Sequence, residues 1–166
     1  MTTTATTTAQ PPRTLTPAPQ RSVRATAAGD DDRRDWTELT AAVRESGQYP
    51  TTAEAEHVTR TILSELGGQV TGDERVALAR ALPRQAAELI ASRIPTPRPH
   101  SAREFVEAVA TRIEGATPAT ARWHVGSVLG VLPPRIGDTL TDRILAQLPA
   151  GYALLFGRAE LATRTA

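Results

Sequence analysis

Apolar residues in this chain fall into helical spacing from about residue 36 onward. Leu39 and Val43 stand four residues apart, as do Phe105 and Val109. A longer stripe of Ala55, Val58, Ile62, Leu63 and Leu66 is matched by Ala121, Val125, Val128, Leu129 and Leu132, close to the i, i+3, i+4, i+7 pattern of an amphipathic helix. Leu78 with Leu82 then precedes Leu89-Ile90, and Leu140, Ile144 and Leu148 precede Leu155-Phe156. The pattern predicts an all-α chain of two tandem four-helix repeats packed into one helical domain.

Self-comparison supports the repeat. A gapless shift of 66 lays residues 36–90 over 102–156 with identity at twelve of 55 positions, among them Thr51/Thr117, Leu63/Leu129, Leu66/Leu132, Leu82/Leu148 and Pro83/Pro149. The punctuation recurs as well. Asp35 with Glu38, Ser101 with Glu104 and Thr71 with Glu74 have capping-box spacing, and Thr51, Thr117 and Asp138 are expected to open helices, with Pro118 at the first helical position. Gly67-Gly68 and Pro133-Pro134 are expected to stop the second helices, and Pro83 and Pro149 to start short fourth helices at a bend. Gly126 and Gly130 form a small-xxx-small pair that suggests a close helix crossing.

The expected organisation is a disordered tail over 1–34, repeat one over 35–92, a Pro-rich connector over 93–100, repeat two over 101–158 and a C-terminal tail over 159–166. The first segment is Thr, Ala and Pro with scattered Arg and no apolar period, too poor in core residues to offset its ordering entropy.

Composition narrows the chemistry. Without Cys there are no disulfides and no thiolate sites, and no apolar run reaches the roughly 18 residues of a membrane span, so the chain reads as cytoplasmic. All 19 basic residues are Arg, which fits a bacterial, high-GC codon bias. Residues 36–166 hold fourteen Arg against fourteen acids, a neutral balance that weighs against nucleic-acid binding.

No residue earns a catalytic, cofactor-binding or metal-binding assignment, and no cofactor is expected. His57 and His124 lie on equivalent second helices and, with Glu54 or Glu56, are the nearest approach to a metal site; no HxxxH or HExxH spacing supports them. The serines lack the Gly-x-Ser-x-Gly context of an exposed nucleophile. Trp36 and Trp123 suit partner anchoring, although core packing is the commoner use of Trp.

The run His124-Val125, Val128-Leu129, Leu132, Arg135-Ile136, Ala146-Gln147-Leu148-Pro149, Tyr152 and Leu154-Leu155-Phe156 resembles the DUF2267 family, with a degraded copy at Ala81-Leu82-Pro83 and Glu88-Leu89-Ile90. The resemblance covers about residues 36–158 and implies a two-repeat helical domain, bacterial and of unknown function, with motifs that mark structure and not chemistry. The expected function is a non-enzymatic cytosolic module that binds another protein or an acidic surface through a helix face, with the N-terminal tail as an auxiliary contact. The alternatives are a small metal-dependent enzyme or sensor using His57 and His124, and a DNA-associated regulator.

Overall fold

A computed structural model of the chain describes residues 20–159, with side chains from Ala27 onward. The described residues are all-α: α1 (Gln20–Gly47), α2 (Thr52–Gly67), α3 (Gly72–Ala81), α4 (Arg84–Ser92), α5 (Ala102–Arg112), α6 (Pro118–Leu129), α7 (Pro133–Ile136), α8 (Asp138–Gln147) and α9 (Tyr152–Leu155). None of these helices is long and apolar enough to cross a membrane. The bounds of α3 and α8 differ by the same 66 residues as the sequence shift.

The apolar stripes behave as their spacing predicts. Leu39, Val43, Ala55, Val58, Ile62, Leu63, Leu66, Phe105, Val109, Ala121, Val125, Val128, Leu129 and Leu132 are all buried, and they join in one hydrophobic cluster that runs through both halves. α2 packs against α1 and α4 in its own half and against α5 and α6 in the other, while α6 also packs on α1. Three predicted caps form: Thr51 accepts from Glu54 N, Ser101 and Glu104 make a reciprocal capping box, and Thr117 does so with Thr120 behind Pro118.

Several local expectations are corrected. Residues 20–34, assigned above to a disordered tail, are helical and continuous with α1, so Asp35 lies inside a helix and opens none. Side-chain pairs support this stretch: Arg33 donates to Asp30 and Arg34 to Asp31, and Asp32 reaches across to accept from Arg84 N at 2.5 Å, where α4 begins. Residues 1–19 and 160–166 fall outside the described residues. Thr71 makes no side-chain cap, because Glu74 is drawn to the other half by Arg143 and Gln147. Pro133 and Pro134 do not stop α6, which ends at Leu129; they open α7, where a missing N–H costs nothing. Pro149 starts no helix, since α9 begins at Tyr152.

Polar groups tie the halves together. Glu65 on α2 is almost fully buried and accepts from Arg93 Nη2 at 2.8 Å and Arg112 Nη1 at 2.5 Å. Gln147 Oε1 accepts from Thr71 N at 3.2 Å, and its Nε2 donates to Thr71 O and to Glu74. The connector is strapped along the end of α2, with Thr96 N donating to Gly68 O at 2.8 Å and His100 N to Gln69 Oε1 at 2.7 Å.

Arg75 gathers two helix C-termini. It donates to Gly67 O, to Ile90 O at 2.7 Å and to Arg93 O at 2.5 Å, supplying positive charge and donors where carbonyls have no helical partner. The ends meet closely: a Cβ on Gly67 would lie 2.5 Å from Ile90 O. Arg75→Ala is expected to cost about 1.5 to 3 kcal/mol, the range for charge-assisted hydrogen bonds. Urea denaturation checks it, and a loss below ~0.5 kcal/mol would mean that water satisfies those carbonyls equally well.

Candidate functional site

Among the described residues, two regions combine a hollow with the histidines and the exposed tryptophan singled out by the sequence. The first is the region where α1, α2 and α6 meet around the histidines. Tyr49, just past α1, stacks on His124 with ring centroids 5.5 Å apart, and its hydroxyl lies 2.7 Å from His124 Nδ1. Burial pushes the Tyr49 phenol up to about 12, the Ser127 hydroxyl opposing and the Glu54 carboxylate adding to it. The phenol therefore stays protonated, and the direction of its bond to Nδ1 follows the imidazole tautomer.

His57 is exposed on α2, and His57, His124, Glu54 and Glu114 line one hollow of about 390 Å³. The two imidazoles thus share a hollow, as their equivalent helices suggested, but Glu56 does not line it. No group of three His, Asp or Glu side chains among the described residues is placed to hold a metal ion.

Burial holds the His124 imidazole below its usual 6.5, with Glu54 pulling weakly the other way. A folded state that resists protonation loses stability as pH falls through the unfolded value, so this contribution is full above 6.5 and declines below it. His124→Gln, which keeps an acceptor and removes the titration, is expected to flatten the fall in thermal midpoint as pH drops below 6.5. An unchanged pH profile in this variant would show that His124 contributes nothing to it.

The second place is a face of the second half built by α5, α6 and the turn into α9. A groove of about 690 Å³ is lined there by Ala102, Val106, Pro118, Ala119, Leu154 and Leu155, with Arg103, Glu107 and Arg122 among its polar residues. A smaller hollow of about 440 Å³ adjoins it, sharing Ala119 and Arg122 and adding Ser46, Trp123, Gly126 and Ser127. Trp123 is 57% exposed and Leu154 52% exposed, whereas Trp36 is 3% exposed. The Trp123 ring is held in place, its Nε1 donating to Gly47 O at 3.3 Å. Trp36 thus packs in the core, and Trp123 stands largely in solvent.

Arg103 is engaged by Glu107 at 2.9 Å. Arg122 has no carboxylate or hydrogen-bond partner among the described residues, although it lines both hollows. Gly126 marks no close crossing: a Cβ there would meet nothing within 4 Å, because the position faces the smaller hollow and not a neighbouring helix. Sequence reasoning did not single out Arg122, Ala119, Gly126 or Leu154 for this face. The available signal was the set of matched positions where the halves differ in size, notably Trp36/Ala102, Arg60/Gly126 and Gln85/Gly151.

Against known proteins, the family described as "Uncharacterized conserved protein (DUF2267)" matches residues 36–155. No curated protein matches the chain.

Proposed function

This chain belongs to the DUF2267 family, and from that premise we propose that it is a non-enzymatic, cytoplasmic module that binds another protein through the α5–α6–α9 face. Its scaffold, in this reading, is one four-helix unit used twice and fused through a common core. The equal bounds of α3 and α8 at the shift of 66 and the buried stripes at matched positions support that view.

The observation that carries the proposal is the pairing of Trp123 and Leu154, two large apolar side chains more than half exposed, on the rims of two adjoining hollows. Exposed tryptophans beside apolar clefts are common anchors of protein interfaces. Val76 and Ile94 are also exposed, but Val76 stands on α3 and Ile94 on the connector, and neither lines these hollows.

A doubly substituted chain, Trp123→Ala with Leu154→Ser, tests the reading because both side chains lie outside the core. Proteins that co-purify with the unsubstituted chain from its source cell are expected to be lost from the variant, with the thermal midpoint nearly unchanged. Retention of the same partners at the same yield would remove this face from the function.

A further inference from the structure

We propose that the N-terminal stretch of α1 is a strap that sets where α4 begins: Asp32 supplies from outside the cap that α4's own sequence lacks, and its withdrawal frays the first turn of α4. The strap is separate from the α5–α6–α9 face and stands without it.

The start of α4 is poorly served by its neighbours in sequence. Pro83 holds the N-cap position, has no side-chain oxygen to offer and makes no side-chain cap, and no acidic residue stands in the first turn. Arg84 instead places a cation at the positive end of the helix dipole, where it is engaged by Glu88 at 2.8 Å. The first amides of a helix have no acceptor within it. Asp32 meets that need, its Oδ1 accepting from Arg84 N at 2.5 Å across 52 residues of sequence.

The same contact anchors the strap. Among the described side chains ahead of Trp36, Asp32 alone is not exposed. Its neighbours pair along their own helix, Arg33 with Asp30 and Arg34 with Asp31, and solvent-exposed pairs of this kind contribute little. One turn further along α1, Trp36 is buried with the Arg60 guanidinium 4.9 Å from its ring centroid, and Arg60 donates to Gln85 Oε1 at 3.4 Å. Asp32, Trp36, Arg60 and Gln85 therefore tie α1 and α2 to the first turn of α4.

The second half lacks the carboxylate. At the shift of 66 Asp32 becomes Arg98, which pairs with Glu104 at 3.6 Å, and Arg84 becomes Ala150. Ala150 opens no helix: α9 starts at Tyr152 and has four residues, against nine in α4. Gly151 also takes a left-handed backbone there, with φ at 97°. Two features thus differ between the halves, and substitution of Asp32 changes only the first.

Amide hydrogen exchange of the full chain tests the strap. Ala87 N donates to Pro83 O at 2.9 Å at the start of α4, so Ala87 and Glu88 report on its first turn. Asp32→Ala is expected to speed exchange at these two amides about fivefold, the equivalent of losing one typical cap, and to leave Ile62 and Leu63 in α2 unchanged. Asp32→Asn keeps an acceptor oxygen and is expected to stay within about twofold of the unsubstituted chain. Arg34→Pro breaks α1 between Asp32 and Trp36 without touching α4, and is expected to match Asp32→Ala.

Unchanged exchange at Ala87 and Glu88 in Asp32→Ala would overturn the inference, because water would then serve the start of α4 equally well. Exchange in Asp32→Asn as fast as in Asp32→Ala would overturn the capping role. Equal acceleration at Ile62 and Leu63 in Asp32→Ala would make Asp32 a support of the whole fold and not of α4. A first turn that stays protected in Arg34→Pro would show that the helix ahead of Trp36 is no strap. If Arg34→Pro unfolds the chain, the two Asp32 substitutions decide alone.

Discussion

Chains cut between the halves are expected not to fold. Expressed alone, residues 20–98 and residues 99–166 should each give a poorly dispersed amide spectrum and no sharp thermal transition. Single cores of this size are marginal, since even a chain of about 60 residues buries only about 60% of the surface it exposes when unfolded and the fraction rises slowly with length. Here each half also loses specific neighbours. α2 would expose the surface it presents to α5 and α6, and Glu65 would lose Arg112. Thr71 and Glu74 would lose Gln147 and Arg143, and Trp123 and His124 would lose Gly47 and Tyr49. Mixing the two fragments should restore dispersion, because the same surfaces are then available in trans. A sharp transition with full helix content in either fragment alone would make the halves independent.

Leu63→Ala and Leu129→Ala are each expected to cost roughly 2 to 5 kcal/mol in chemical denaturation. Both side chains are fully buried, they occupy matched positions on α2 and α6, and both belong to the cluster that spans the halves. Each truncation opens a cavity in a region held by several helices, so collapse is limited and the upper part of the range applies. In a single cooperative unit either change lowers one transition for the whole chain. Two separate transitions, with only one displaced, would show two cores.

The apolar stripes made the helices and the core legible, since every predicted stripe residue on the first two helices of each half is buried. Boundaries were harder to read. The stretch 20–34 has no apolar face, and its helix draws on ion pairs at i, i+3 and on Asp32 meeting Arg84 N across 52 residues of sequence, which no local pattern encodes. Thr71 and Glu74 had capping-box spacing, but long-range pairing with Gln147 and Arg143 won over the local cap.

The candidate site was legible only in part. Trp123 was singled out, yet its place beside the end of α1, with most of the ring in solvent, is set by tertiary packing that spacing alone does not specify. Comparison of the halves counted identities, whereas the site lies where they differ. Ala102, Gly126 and Gly151 are individually unremarkable small residues, and they acquire meaning only beside Trp36, Arg60 and Gln85 in the folded chain.

The most direct test of the account is site-specific photo-crosslinking of the full chain inside its source cell. A photoreactive phenylalanine analogue replaces Trp123, Leu154, Val76 or Ile94 in turn, four exposed apolar positions of which only the first two border the hollows. The account predicts one shared protein adduct from positions 123 and 154 and none from 76 or 94. Equal labelling at all four positions, or an adduct confined to 76 or 94, would contradict it.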